Sequence, residues 1–205
     1  IIVDDNSDPN FLTNDLEMID CEIVQSEYHA RGEILGYYYF HKLHPFDRAI
    51  ILHDGVFFNQ KINLENTENV RFLWWFKHYW DEDIPSLSLI SKFNDCGDIV
   101  NIFIHKDEWI GCFGVMSVIT WDFLNKIDIR HNFFKVILDN VKTRTERQHI
   151  ERIFASTCYA NDSSLNQGSH LLGNIHDNYT WGITYEQYKA GFYNHFPLVK
   201  VWTGR

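Results

Sequence analysis

For a chain of 205 residues, the sequence contains few cysteines and few basic side chains. Its four cysteines are widely spaced and form no CxxC pair, so the sequence predicts neither a disulfide framework nor a zinc site. We therefore expect reduced thiols in a cytoplasmic protein. The 28 acidic and 18 basic residues give a formal net charge of −10, which argues against non-specific binding to nucleic acid or to an anionic membrane.

The sequence also lacks any apolar run long enough to span a membrane, any internal repeat and any low-complexity segment. It is instead rich in hydrophobic residues (45%) and aromatic residues (16%), which can bury a large core. We expect a single domain over residues 1–205. Because the chain opens directly on an apolar strand followed by acidic residues, we expect a first strand and helix to precede Ile1 in the natural protein.

The order of the apolar segments predicts the fold class. Strands are predicted at 1–3, 49–52, 87–90 and 99–104, and helices at 26–43, 70–80, 122–127, 133–141, 145–158 and 184–191. Residues 161–178, rich in Ser, Asn, Gly and His, are predicted to form a mobile surface loop. Strands that alternate with helices indicate an α/β, Rossmann-like domain with a mainly parallel central sheet flanked by helices.

Two acidic segments follow predicted buried strands. The segment Asp4-Asp5-Asn6-Ser7-Asp8 either accepts hydrogen bonds from a ribose or a base, or is a polar turn that caps the next helix. In His53-Asp54-Gly55, the carboxylate either holds a divalent cation that neutralises a diphosphate, or bonds to a turn backbone. Ligands of parallel sheets bind where strands end, so we expect Asp5 and Asp54 on neighbouring strand ends, facing one cleft.

Four segments together resemble the GT-A glycosyltransferases. Residues 3–8 resemble that family's "VDDGSxD" strand end, and Arg31-Gly32 followed by residues 50–54 resembles its "RG…A…flDxD" stretch. Residues 111–114 resemble the glycine-containing loop under the donor sugar, and residues 151–154 resemble the "EDxxL" helix start that supplies the catalytic base of the large inverting branch. In order and approximate spacing the set covers nearly the whole chain, and it is similar to glycosyltransferases encoded by large DNA viruses.

The resemblance implies an inverting transfer of a sugar from a nucleoside diphosphate sugar, in the first instance a UDP-sugar, to a hydroxyl of a glycan or glycoprotein. It also implies Mn²⁺ or Mg²⁺ as cofactor. The residues that it assigns to the donor are Asp4, Asp5, Ser7, Arg31, Gly111, Cys112, Phe113 and Gly114, and those that it assigns to the metal are His53, Asp54 and His176.

The catalytic base and the acceptor site add further candidates. Glu151 lies at the edge of the apolar stripe of its predicted helix, where a carboxylate is partly desolvated and able to reach an acceptor hydroxyl. Glu146, in the first turn of the same helix, is the rival candidate. Trp109 and Trp181 lie beside glycine-containing loops and are candidates for stacking on an acceptor sugar.

The chain departs from the family pattern at two positions, and other functions stay open. His53-Asp54-Gly55 retains one carboxylate of the DxD motif, and Arg152 stands where a second acid is expected. The eroded DxD also suits a non-catalytic module that binds nucleotide sugars. A phosphoacceptor receiver domain is a further alternative, with Asp54 as acceptor and Ser91 and Lys106 in the right order. At the C-terminus, the cations of segment 200–205 either reach a diphosphate or belong to a solvated tail.

Overall fold

The structure is a computed structural model that describes residues 1–11, 20–64, 67–79, 83–178 and 183–202. Within these ranges the strands are β1 (Ile2–Asp4), β2 (Ile23–Gln25), β3 (Arg48–Ile51), β4 (Val56–Phe58), β5 (Val70–Phe72), β6 (Trp75–Phe76), β7 (Gly111–Cys112), β8 (Ser117–Thr120) and β9 (Leu198–Lys200). The helices are α1 (Leu35–Leu43), α2 (Asp83–Ile90), α3 (Gly97–Ile104), α4 (Trp121–His131), α5 (Phe133–Asn140), α6 (Arg144–Asn161), α7 (Ile175–Asn178) and α8 (Tyr185–Lys189). None of the helices in these ranges is long and apolar enough to cross a membrane.

The chain is a mixed α/β protein, but the expected mainly parallel central sheet is wrong for the described residues. Their largest sheet has the order β3-β8-β5, and both of its strand pairs are antiparallel. The pairs β4–β9 and β6–β7 are antiparallel as well, and among the strands that the structure describes only β1 and β2 form a parallel pair. Strand β8 pairs with β3 and β5, which both lie far from it in sequence, so the hydrophobic pattern of each segment does not fix the strand directions.

Several predicted elements also change type. The predicted helix at 70–80 contains strands β5 and β6, whereas the predicted strands at 87–90 and 99–104 lie within helices α2 and α3. Short apolar runs of this kind have no periodicity that separates a buried strand from a buried helix. The predicted strands at 1–3 and 49–52 are confirmed as β1 and β3, within a residue at each end.

The sheet β3-β8-β5 separates two apolar clusters. Successive side chains of a strand point to opposite faces, and in β8 Ile119 belongs to a cluster with the helices while Val118 belongs to a cluster with β9. Both side chains have no solvent exposure. The first cluster includes apolar residues of α1, α4, α5 and α6, and the long helix α6 contacts both Phe72 of the sheet, through Phe154, and the loop at 113–115.

Helix α6 begins at a capping box. The side chain of Thr143 accepts a hydrogen bond from the Glu146 amide, and the Glu146 carboxylate accepts one from the Thr143 amide. The sequence instead suggests a box of Thr145 and Gln148, two residues too late. The segment predicted as a mobile loop lies against β5 and β6, because the Leu171 amide donates to the Phe72 carbonyl at 2.9 Å.

Candidate functional site

The glycine-containing loop between β7 and β8 has an unusual backbone. Gly114 has a φ of +60° and Val115 a φ of +51°, and a β-branched residue in this left-handed region is strained. The Tyr37 hydroxyl donates a hydrogen bond of 2.5 Å to the Val115 carbonyl, and the Phe113 amide donates to the Trp74 carbonyl at 3.1 Å. Buried contacts from two other segments therefore hold the loop in this conformation.

Glu151 and His53 meet at Gly114. The Gly114 amide donates a hydrogen bond of 2.7 Å to Glu151 Oε1, which links the loop to helix α6. A Cβ added at Gly114 would lie 3.2 Å from His53 Cε1 and 2.8 Å from Met116 Cε. Glycine is therefore needed here for two reasons, because both the positive φ and the close neighbours oppose a side chain.

His53 is a neutral histidine at this point. Its Nε2 atom is buried and has no hydrogen-bond partner among the described residues. Desolvation, followed by the nearby positive charge of Lys200, lowers the pKa of His53 to about 4. At neutral pH the ring therefore carries no charge.

Lys200, on β9, supports the turn that contains Asp54. Its Nζ donates a hydrogen bond of 2.7 Å to the backbone carbonyl of Asp54. Desolvation lowers the pKa of Lys200, while the charges of Asp54 and Glu33 oppose that shift. Gly55, with a φ of +72°, lets the chain turn back toward β9, where the Val201 amide donates to its carbonyl at 2.8 Å.

On the side of β1, Asp5 is linked to the same region through Ala30. Both Asp5 carboxylate oxygens accept from the Ala30 amide, at 3.0 and 3.2 Å, and Arg147 Nη1 donates to the Ala30 carbonyl at 3.0 Å. Arg147 Nε also lies 3.5 Å from Glu33 Oε2. Arg147 and Glu151 are four residues apart and therefore share a face of α6.

We call the residues of these contacts the polar site: Asp5, Glu33, His53, Asp54, Gly114, Arg147, Glu151 and Lys200. The expectation that Asp5 and Asp54 lie on neighbouring strand ends is wrong, since β1 pairs with β2 and β3 pairs with β8. Asp5 is connected to Glu33 through Ala30 and Arg147, and the backbone carbonyl of Asp54 accepts from Lys200.

Other predicted donor residues have local partners. Asp4 accepts from the Ser7 amide and from Gln25 Nε2, both at 2.9 Å, and its hydrogen bonds with Ser7 and Gln25 lower its pKa. This geometry matches the alternative of a polar turn. Arg31 Nε donates to the Leu138 carbonyl at 2.9 Å, so this side chain is directed to the end of α5.

The remaining loop residues are buried. Cys112 has no solvent exposure, its Sγ donates to the Met116 carbonyl at 3.6 Å, and desolvation raises the pKa of the thiol. Gly111 packs directly on the ring of Phe76. The Phe113 ring meets His176 edge-on at a centroid distance of 6.4 Å, which places exposed His176 next to the loop.

The two tryptophans expected to contact an acceptor have different outcomes. Trp109 is only 2% exposed, and its ring stacks on His78 with centroids 3.5 Å apart. Because the core covers its ring, the prediction that Trp109 stacks on a sugar is wrong. Trp181 lies outside the described residues.

Glu146, the rival base, is occupied at the start of α6. Its Oε2 accepts from the Lys142 amide at 2.7 Å and from the Thr143 amide at 2.8 Å. These two backbone hydrogen bonds lower the pKa of Glu146, which makes the carboxylate a weaker base.

The residues present do not fit a divalent-cation site built by side chains alone. The described ranges contain no group of three or more His, Cys, Asp or Glu side chains placed to hold a metal ion. His53 Nε2 is buried, and the Lys200 ammonium lies 2.7 Å from the Asp54 carbonyl. The Mn²⁺ or Mg²⁺ implied by the resemblance stays a prediction.

The receiver-domain alternative is not supported by the positions of its residues. Lys106 Nζ lies 2.8 Å from Asp83 Oδ2, and the Ser91 hydroxyl donates to the Ser88 carbonyl at 2.9 Å. Neither residue is joined to Asp54 in the described structure, and the parallel sheet of that family is missing from the described strands.

Sequence reasoning missed Glu33 and Arg147, and it left open whether Lys200 reaches a diphosphate or belongs to a solvated tail. Glu33 directly follows Arg31-Gly32. Arg147 lies one helical turn before Glu151, so the helical spacing of these two residues could have predicted that Arg147 lies near Glu151. A cavity of about 260 Å³ lies elsewhere, between residues 68–71 and 162–169, and none of the residues of the polar site lines it.

The chain was compared with protein-family models, curated proteins and solved structures, and it matches none of them.

Proposed function

We propose that the chain is an inverting glycosyltransferase that moves a sugar from a nucleoside diphosphate sugar, in the first instance a UDP-sugar, to a hydroxyl of a glycan or glycoprotein. The observation that carries this proposal is the hydrogen bond of 2.7 Å from the Gly114 amide to Glu151, with His53 against the same glycine. Three segments that resemble separate glycosyltransferase motifs thus meet, although they are far apart in sequence. If the similarity of these short motifs were due to chance, there would be no reason for the three segments to lie in contact.

In the proposed reaction Glu151 is the catalytic base. It takes the proton of the acceptor hydroxyl as that oxygen attacks the anomeric carbon, and the bond from this carbon to the diphosphate oxygen breaks with its electron pair leaving on the nucleoside diphosphate. The Gly114 amide holds Oε1 and thereby fixes the orientation of the carboxylate. Glu151 is half-buried, so few waters compete with the acceptor.

The order of the site along the chain supports a variant of the GT-A fold. An acidic strand end follows β1, a second follows β3, the glycine-containing loop precedes β8, and the candidate base lies on α6. Asp5 and Asp54, which belong to the same polar site, are the proposed acceptors of hydrogen bonds from the donor hydroxyls. In this variant the described strands are mostly antiparallel, which is the main difference from the parallel sheet that the resemblance implies.

The test is a donor panel. The full chain is incubated with UDP- and GDP-sugars and with hydroxyl acceptors, with and without Mn²⁺, and the released nucleoside diphosphate is measured against the Glu151→Gln variant. We expect release from at least one donor that exceeds release by the variant. Donor binding without any release would identify a non-catalytic module, and the lack of both binding and release would reject the proposed function.

A further inference from the structure

We propose that the Lys200 ammonium, and not a divalent cation held by His53 and Asp54, is the positive charge that binds the donor diphosphate. This inference rests on the proposed function and specifies how the same site holds its donor. It also replaces the interpretation of Lys200 as part of a solvated tail.

Lys200 is fixed in place by the backbone. Lys200 is the last residue of β9. Its strand partner is Val56, the first residue of β4, which directly follows the turn of residues 53–55. Lys200 Nζ donates a hydrogen bond of 2.7 Å to the Asp54 carbonyl. A Cβ added at Gly55 would lie 3.5 Å from the same Nζ. The ammonium is therefore held beside the backbone of Asp54, the residue that the resemblance assigns to the metal.

The ammonium has the donors that a diphosphate needs. A lysine carries three N–H donors, and the described residues give this one a single hydrogen bond, to the Asp54 carbonyl. Two N–H groups are thus available for phosphate oxygens, and a hydrogen bond between two charged groups is stronger than a neutral one. Asp54 and Glu33 oppose the loss of the proton on burial, while Glu33 is itself paired with Arg147.

The same surroundings disfavour a divalent cation. His53 Nε2 is buried and the other side of the ring lies against Gly114, so this nitrogen does not face solvent. Asp54 is exposed, and a second cation bound to it would lie close to the Lys200 ammonium and be repelled by it. Exposure of Asp54 also lets solvent screen its negative charge against the incoming diphosphate.

The experiment is a calorimetric titration of the full chain with UDP, in EDTA and separately in MnCl₂. The variants are Lys200→Met, Lys200→Arg, which keeps the charge, and Lys189→Met, a control that removes the lysine of α8. We expect UDP to bind in EDTA, with an affinity that falls as NaCl is raised. Lys200→Met should weaken binding by about tenfold or more, because a hydrogen bond to a charged group is lost.

Lys200→Arg should stay within a few-fold of the parent, and Lys189→Met should bind as the parent does. Thermal unfolding of each variant checks that the fold is kept at the temperature of the titration. If Lys200→Met is not folded there, Lys200→Gln is compared with Lys200→Arg instead. Binding that requires Mn²⁺ and is unchanged in the neutral variants would overturn the inference and leave the glycosyltransferase proposal standing.

Inorganic pyrophosphate separates the two proposals further. If it binds through Lys200 in EDTA while no nucleotide sugar binds or reacts, the diphosphate site stands and the proposed function fails. If neither UDP nor pyrophosphate binds in either buffer, both are rejected.

Discussion

Two neighbouring residues of α6 point into two different polar regions of the molecule. Glu151 belongs to the polar site, where it accepts from the Gly114 amide. Arg152 is 1% exposed and donates to Asp83, which also pairs with Lys106 at 2.8 Å, while its guanidinium lies 4.7 Å from the Phe103 ring centroid. We call this second region the ion-pair cluster: Arg152, Asp83, Lys106 and His78.

The comparison shows that a shifted pKa alone does not mark a site. His53 in the polar site and His78 in the ion-pair cluster both have a pKa lowered to about 4, in each case first by desolvation. They differ in what surrounds them, since His78 is covered by the Trp109 ring whereas His53 lies beside exposed Asp54 and strained backbone. The ion-pair cluster contacts α6 through Arg152, and the polar site contacts it through Glu151.

The largest effect is expected from Glu151→Gln. Loss of a positioned base should lower turnover by about 10² to 10⁴-fold and leave donor binding nearly intact. Steady-state kinetics with the active donor, together with calorimetry, measure both quantities. The matched control is Glu146→Gln, which alters the capping carboxylate on the same helix and should leave turnover near the parent value. If Glu146→Gln lost turnover and Glu151→Gln kept it, the base would be Glu146.

Breaking the ion-pair cluster should affect stability instead. Arg152→Met removes the buried guanidinium that donates to Asp83, while Asp83 is 39% exposed and keeps Lys106 as a partner, so we expect a loss of about 1.5–3 kcal/mol in the free energy of unfolding. Urea denaturation measures the loss. Because Lys106 remains beside Asp83, the lower end of that range is the expected value, and the double variant with Asp83→Asn should recover part of it. A change below about 0.5 kcal/mol would show that the cluster does not hold α6.

His78 predicts how stability depends on pH. Its pKa is about 4 in the folded protein and 6.5 for an ordinary histidine, so between these pH values the unfolded chain binds more protons than the folded one. Stability should therefore fall as the pH drops from 6.5 toward 4, by up to about 3 kcal/mol from this residue. Urea midpoints at a series of pH values test this, and His78→Gln should show a smaller decline. An identical decline in the variant would assign the pH dependence to other groups.

Part of this arrangement could be predicted from the sequence. The strands predicted at 1–3 and 49–52 and the helix predicted from residue 184 follow from short-range patterns, and the structure confirms them as β1, β3 and α8. Motif order named both Gly114 and Glu151, and the structure brings them into contact, although their roles stay predictions.

The rest depends on contacts that the sequence pattern does not encode. Lys200 and Asp54 are 146 residues apart, and only the pairing of β4 with β9 makes them neighbours. Trp109 is next to the glycine-containing segment in sequence, yet its stacking on His78 turns the ring into the core. The antiparallel direction of β8 could not be predicted for the same reason, since β8 pairs with β3 and β5, which lie far from it in sequence.

The smallest effect, and the sharpest comparison, is expected from Gly114→Ala. A side chain at a φ of +60° costs about 1–2 kcal/mol, and its Cβ would press on Met116 and His53. The matched control is Gly97→Ala at the start of α3, where a Cβ meets nothing within 4 Å, so stability should stay level or rise slightly. Urea denaturation gives the stability of each variant, and the donor assay gives its turnover.

Because the Gly114 amide also holds the Glu151 carboxylate, turnover in Gly114→Ala should fall by more than the loss of folded protein explains, whereas Gly97→Ala should react as the parent does. Equal turnover in the two variants would mean that the hydrogen bond from Gly114 to Glu151 serves the fold alone.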